Sequence, residues 1–201
     1  MKKRLIISRY DENIEWLNNF KEYKITIYNK GNESDLKGFN NVINLKNVGR
    51  ESHTFIYHII NNYDSLDDIN IFLQGKIEDL GCMAYNNLHD YEKDIDKYGF
   101  SVSRYGILGP FHWSHNVGVD RDPRYKNKWE NEEISKSNLG FRKFAKNLFP
   151  EIPYFVATSY SGCFAVKKEN IRNLNLSIYK NILDYLSINK NPIEGHYMER
   201  L

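Results

Sequence analysis

A three-layer α/β/α sandwich with a mostly parallel, mixed central sheet is the fold this sequence predicts, and three observations predict it. Short apolar or β-branched runs end in polar or glycine-containing breaks at 5–8, 24–28, 42–45 and 69–73. An amphipathic helical pattern lies among them, with Phe55, Ile56, Ile59, Ile60 and Tyr63 at helical spacing. The resulting β-α-β-β-α-β order calls for crossover connections, which lay neighbouring strands parallel.

The elements follow in order. Residues 5–8 form a first strand that runs into Arg9-Tyr10-Asp11-Glu12. Ile14, Trp16, Leu17 and Phe20 give a short helix over 12–20. Residues 24–28 alternate as a second strand, closed by Asn29-Lys30-Gly31, and 32–41 reads as loop. Residues 42–45 form a third strand that ends at Asn47. The polar turn NVGRES then opens the amphipathic helix, an acidic turn spans 64–68, and the fourth strand, 69–73, stops at Gln74-Gly75-Lys76. Leu80, Met83, Ala84, Leu88 and Tyr91 give 77–98 a helical pattern, and 99–110 holds a strand. A dense polar and aromatic loop fills 110–129, and an amphipathic helix at 139–148 ends at Pro150. Residues 153–158 and 163–166 are strands on either side of the turn SYSG, and helices follow at 168–172, 178–186 and from 192 to the end. No internal repeat or low-complexity linker divides 1–201, so one domain is expected. Its last residues fall within a helical pattern, as in a domain cut at its C-terminal end.

Lys and Arg number 28 against 26 Asp and Glu, a net charge of +2 that gives no charge-based argument for nucleic acid or a membrane surface. No apolar run is long enough for a signal h-region or a membrane span. Two cysteines, Cys82 and Cys163, make neither a disulfide framework nor a cysteine-type zinc site. They read as small packing residues in a cytoplasmic, reducing-compartment protein. With 15 Tyr and 11 Phe, a full core is within reach despite the polar average.

In open α/β sheets ligands bind beyond the carboxyl ends of the strands. Four such ends carry polar groups: Arg9, Tyr10 and Asp11; Asn29 and Lys30; Asn47, Gly49, Arg50 and Glu51; and Gln74, Gly75 and Lys76. Gly49 permits close backbone approach, Arg50 offers a planar donor fork, and a helix N-terminus favours an anion such as a diphosphate. His53, in the first turn of that helix, is a candidate for a phosphate or ribose contact, whereas His58 reads as a core histidine. Asp67-Asp68 precedes the fourth strand and so belongs to the amino end of the sheet, away from this edge. His112-x-x-His115 with Asp120-x-Asp122 offers metal-ligand chemistry in one loop, although an ordinary hydrogen-bonded loop is the commoner outcome of that spacing. Glu194 and Glu199 are candidate carboxylate bases, and Trp113, Tyr160 and Tyr197 candidate stacking surfaces.

The segments ISRYDENIEWL, IYNKG, NVGRESHTFIYHIINNYDSL, IFLQGK and SGCFAVKKENI resemble a family of uncharacterised proteins. Its pattern runs R-Y-x-E…W-L, N-K-G, N-x-G-R-E-x-x-T-Y, F-x-Q-G, C-x-F-A-V-x-K/R-E and E-R-L-W. The likeness covers most of the chain and is most specific at 47–54. That family is similar to nucleotide-sugar glycosyltransferases of the GT-A fold. The resemblance implies that Arg9 to Glu12 approach the nucleotide base and that Asn47 to Glu51 form the loop beside the nucleotide. Gln74 falls where such enzymes carry a D-x-D metal motif. Tyr160, Ser161 and Gly162 fall in the acceptor-side glycine loop, with Trp113 and His196 nearby, and Glu199 falls at the general base of an inverting transfer.

Gln74 departs from the aspartates that hold manganese through the donor diphosphate. Either Mn2+ or Mg2+ is held elsewhere, with His112, His115, Asp120 and Asp122 as candidates, or Lys76, Arg50 and Lys30 neutralise the diphosphate without metal. The expectation is therefore a GT-A-like glycosyltransferase of polysaccharide biosynthesis. It moves a sugar from a nucleotide-sugar donor to a glycan or lipid-linked acceptor. The alternatives are a non-catalytic nucleotide-sugar or glycan-binding module of a larger enzyme, and a metal-dependent hydrolase.

Overall fold

The computed structural model describes residues 1–34, 36–77, 88–92, 94–102, 105–109, 119–120, 122–123, 125–137, 139–159 and 162–201. Four parallel strands, β1 (Lys3–Arg9), β2 (Lys24–Asn29), β3 (Val42–Asn44) and β4 (Ile69–Gln74), stand in the order β3-β2-β1-β4. Two later strands, β5 (Phe100–Val102) and β8 (Phe164–Lys167), extend the sheet beyond β4. β8 runs antiparallel to both its neighbours, so the six-stranded sheet is mixed. Strands β6 (Tyr105–Leu108) and β7 (Val156–Ser159) pair with each other in a separate two-stranded sheet. The α/β class with a mostly parallel sheet is therefore present. The two expected strands around SYSG do not share a sheet: β7 joins β6, while β8 inserts beside β4.

Alternation along the strands produces the layers. Leu5 and Ile7 of β1 face one side with Ile69, Ile71 and Leu73 of β4, and there they meet Ile14, Leu17, Leu88, Tyr91 and Ile95. Ile6 and Phe72 face the other side, onto the helices α1 (Arg50–Asn62), α4 (Phe141–Leu148), α6 (Leu176–Leu186) and α7 (Ile193–Met198). Helix α1 presents Phe55, Ile56 and Ile59 to this core, as its apolar spacing predicts. The first expected helix is a single 3-10 segment at Glu15–Asn19. From 77–98 the described parts are a 3-10 turn, Leu88–Glu92, and α2 (Ile95–Tyr98). Helix α3 (Lys126–Glu130) arises inside the expected 110–129 loop, and α5 (Lys168–Arg172) has its expected bounds. No helix among the described residues is long and apolar enough to cross a membrane.

Candidate functional site

Strands β1 to β4 all end at the same edge, and β8, running the other way, begins there with Gly162 just before it. A cavity of about 650 Å³ lies at this edge. Of the residues expected from the strand ends, Arg9, Tyr10, Lys30, Asn47, Arg50, Glu51, Gln74 and Lys76 line it, and His196 joins them from α7. Asp11, Asn29, Gly49, His53 and Gly75 are not among its lining residues.

The β1 and β2 ends form a hydrogen-bonded clamp. Arg9 is buried. Its Nε donates to the Glu12 carbonyl at 2.9 Å, and its Nη1 donates to Asn29 Oδ1 at 2.7 Å and to the carbonyls of Tyr10 and Asn32 at 3.0 and 2.6 Å. Asn29 donates in turn to the Gly31 carbonyl at 3.0 Å and to Asn44 Oδ1 at 3.1 Å, and Asp11 Oδ1 accepts the Asn32 N–H at 2.9 Å. Asn29 and Asp11 thus shape the loops at the strand ends. Gly75 is similarly structural: its N–H donates to the Ser8 carbonyl at 2.8 Å, and its own carbonyl accepts the Trp16 indole N–H at 2.9 Å.

Lys30 follows directly on this clamp. Its side chain crosses to the NVGRES turn, where Nζ donates to the Val48 carbonyl at 2.7 Å and to the Arg50 carbonyl. It is 9 % exposed and makes no ion pair among the described residues. Burial pushes its pKa down to about 8, against the attraction of Glu51.

The turn itself is left-handed at two successive residues, Gly49 (φ 61°) and Arg50 (φ 53°). A Cβ at Gly49 would lie 2.3 Å from the Leu186 carbonyl oxygen and 2.6 Å from His53 Cβ, so glycine is required there. Arg50 bears the same backbone strain with a side chain, about 1 kcal/mol or more, which its surroundings must over-determine. They do so at both ends. Its carbonyl accepts from Lys30, and its guanidinium sits among Glu51, Glu199 and His196. Nη2 lies 3.5 Å from Glu51 Oε1 and 3.4 Å from Glu199 Oε1. Nη1 lies 2.9 and 2.8 Å from the two ring nitrogens of His196, a near-equidistance that puts it across the imidazole rather than in line with one lone pair. Burial works against the arginine charge, but the two carboxylates outweigh it and hold the pKa above its ordinary value.

Burial also pushes His196 down to about 2, helped by the charges of Arg50 and Arg200, so the ring is neutral. Glu199 is raised by burial against the pull of Arg50 and Arg200, and its Oε2 accepts from Arg200 Nη1 at 3.1 Å. Glu199 does not line the cavity, whereas Glu51 does. Glu51 packs against Gly162, where any Cβ would come 3.0 Å from Glu51 Cγ and 2.9 Å from Gln74 Nε2. The glycine of the expected acceptor-side loop thus leaves room for both polar side chains. Trp113, Tyr160 and Ser161 lie outside the described residues.

His53 turns inward instead of toward an anion. It is buried, its ring stacks on Tyr57 at 6.2 Å, and burial pushes its pKa down to about 4. Its spacing from Ile56 already places it on the apolar face of α1. Sequence reasoning missed Tyr125 and Lys128 from α3 and its N-terminal flank, and Lys190 and Asn191 from the α6–α7 connection. Tyr125 meets the His196 ring edge-on at 5.1 Å, and Lys190 Nζ stands 5.5 Å from the Tyr10 ring. The run of lysine and asparagine before Pro192 is the one sequence signal that could have pointed to the last pair.

Among the described residues no group of three or more His, Cys, Asp or Glu is placed to hold a metal ion. Asp120 and Asp122 do not line the cavity, and the Asp122 carbonyl accepts the N–H groups of Tyr125 and Lys126 that open α3. His112 and His115 lie outside the described residues. Asp67 and Asp68 stand at the opposite edge of the sheet, bonded to Arg4, Lys24 and Lys168. Cys163 is fully buried and disulfide-bonded, which corrects the expectation of a plain packing thiol. Cys82 lies outside the described residues.

The profile of a family described as "Protein of unknown function (DUF3431)" matches residues 5–201, and the chain belongs to that family. No curated protein and no solved structure matches it.

Proposed function

We propose that this DUF3431 member is a GT-A-like glycosyltransferase that holds a nucleotide-sugar donor in the strand-end cavity. The observation that carries the reading is the charge of the cavity wall beside its carboxylates. Arg9, Lys30, Arg50, Lys76, Lys128 and Lys190 line it against Glu12, Glu51 and Glu133. An excess of three cations in a chain of near-zero net charge favours an anion of the charge of a diphosphate.

In the proposed reaction the acceptor hydroxyl oxygen forms a bond to the anomeric carbon of the sugar. The bond from that carbon to the diphosphate oxygen breaks and its electron pair leaves with the nucleoside diphosphate. The hydroxyl proton passes to a carboxylate. The resemblance points to Glu199 as that base. The cavity geometry favours Glu51, which forms part of the wall, with Glu199 as the residue that positions Arg50. Cations at the strand ends stabilise the departing charge.

A thermal-shift screen against UDP, GDP, dTDP and CMP and their sugars, with and without Mn2+, tests the donor class. A ligand at 100 times its Kd raises stability by about 2.7 kcal/mol. Glu51→Gln should then reduce transfer by about 100-fold or more with donor binding retained. Glu199→Gln should cost about tenfold through a displaced Arg50. The reverse ranking returns the base to Glu199. Donor binding without turnover by the wild type favours the alternative of a nucleotide-sugar-binding module, which the uncharged Gln74 at the end of β4 also fits.

A further inference from the structure

Two cations line the cavity beside α1, and they differ in how far their charge is neutralised. The Arg50 guanidinium is occupied by Glu51, Glu199 and His196. Lys30 is buried and lines the cavity, and no carboxylate among the described residues pairs with it. An ammonium has three N–H donors. Two of them meet the Val48 and Arg50 carbonyls, which leaves one N–H and the full charge. The same two carbonyls belong to the turn that opens α1, a helix of 13 residues. Among the described residues no acceptor meets the N–H groups of Arg50, Glu51 or Ser52 in its first turn. The positive end of the helix and the buried ammonium therefore stand together and reinforce one another.

We propose that Lys30 and the first turn of α1 form the phosphate subsite of this cavity, which takes the terminal phosphate of a nucleoside diphosphate by direct contact with the lysine. The inference rests on reading the cavity as a nucleotide-sugar site and names the group that grips the leaving diphosphate. Glu51 and Glu199 neutralise Arg50, which serves to fix the turn. Lys76, Lys128 and Lys190 are exposed arms at the rim. They draw the anion in without setting its position.

Proton linkage gives the subsite a signature. Glu51 is the charged side chain that opposes Lys30, and His53, pushed down to about 4, is neutral above pH 6. An anion bound against Lys30 favours its charged form, so binding of the nucleoside diphosphate, itself fully ionised at pH 8.5, takes up a fraction of a proton.

The test is titration calorimetry of wild type and Lys30→Met with pyrophosphate, a nucleoside diphosphate, the monophosphate and the bare nucleoside. Each is run with chelator present and in two buffers of different ionisation enthalpy. The expected result is that pyrophosphate and the diphosphate bind wild type at least 30-fold more tightly than Lys30→Met. Wild type takes up a fraction of a proton on binding the nucleoside diphosphate at pH 8.5, and the nucleoside alone is insensitive to the substitution. Thermal unfolding of the free variant confirms its fold, and the proton uptake of wild type stands without it. Equal affinity in the two proteins, or binding of the nucleoside diphosphate at pH 8.5 without proton uptake, overturns the subsite. Sugar transfer at the wild-type rate by Lys30→Met overturns it too and spares the glycosyltransferase reading. Lysine-dependent pyrophosphate binding without transfer from any donor sinks that reading and keeps the subsite.

Discussion

The two edges of the main sheet handle charge in opposite ways. At the amino edge each acid meets its bases. Asp67 accepts from Arg4 at 2.6 Å and Lys24 at 3.1 Å, and Asp68 accepts from Lys168 at 2.6 Å and from the Lys2 N–H at 2.8 Å. The left-handed residue at that edge, Gly99 (φ 68°), is a glycine, which takes that conformation without steric cost. At the carboxyl edge the cations lining the cavity outnumber the acids, two successive residues are left-handed, and one buried lysine has no counter-ion among the described residues. Neutralised charge on relaxed backbone is what stability alone selects. Surplus charge on strained backbone is costly, and it persists where a ligand is handled.

Substitutions can break this contrast, and the largest effect is expected at the strained turn. Gly49→Ala forces a Cβ onto the Leu186 carbonyl and keeps an unfavourable φ, at a cost of about 3 kcal/mol or more. Chemical denaturation should show the loss, and anion binding should fall with it as α1 shifts against α6.

Next comes the amino edge. Asp67→Asn leaves Arg4 and Lys24 short of a carboxylate, for a loss of about 2 kcal/mol in stability with no change in anion affinity. The pH dependence has a definite sign. Burial alone would raise the Asp67 pKa, but hydrogen bonds from Lys24 and Arg4 outweigh it and hold it below the ordinary carboxylate value. Its contribution is therefore present above the unfolded pKa of about 3.9 and is lost as pH falls through the folded value. Wild type and Asp67→Asn should converge in stability in acid and diverge near neutrality.

The smallest effects belong to the rim. Lys128→Ala and Lys190→Ala should each weaken anion binding by about two- to fivefold, and less at high salt, because both lysines are exposed. A larger loss from either one would move the phosphate grip outward from Lys30.

The same contrast explains what could be read from the chain. Strands β1, β2 and β4 and helix α1 announce themselves because their apolar periods are local. The carboxyl-edge residues Lys30, Arg50 and Gln74 follow from where those strands stop. What stays hidden depends on distant partners. Nothing local says that the Arg50 fork is taken by residues of α7 and its C-terminal flank, or that Asn29 is used up in holding Arg9. Lys128 and Lys190 come from connections without periodicity, so only the folded chain brings them to the cavity. His53 was expected at the site for its closeness to the turn, but its place on the buried helix face keeps it out of the cavity lining.

The contact between Arg50 and His196 joins residues 146 positions apart. An emerging chain exposes the NVGRES turn long before α7 exists, and at that stage Arg50 has neither His196 nor Glu199 to hold it. Lys30 can hold the backbone of the left-handed turn from early on, but the Arg50 guanidinium gains its α7-side partners only when that helix docks. In the proposed site, a half-made chain carries the strand ends without the α7 contacts of Arg50 between them.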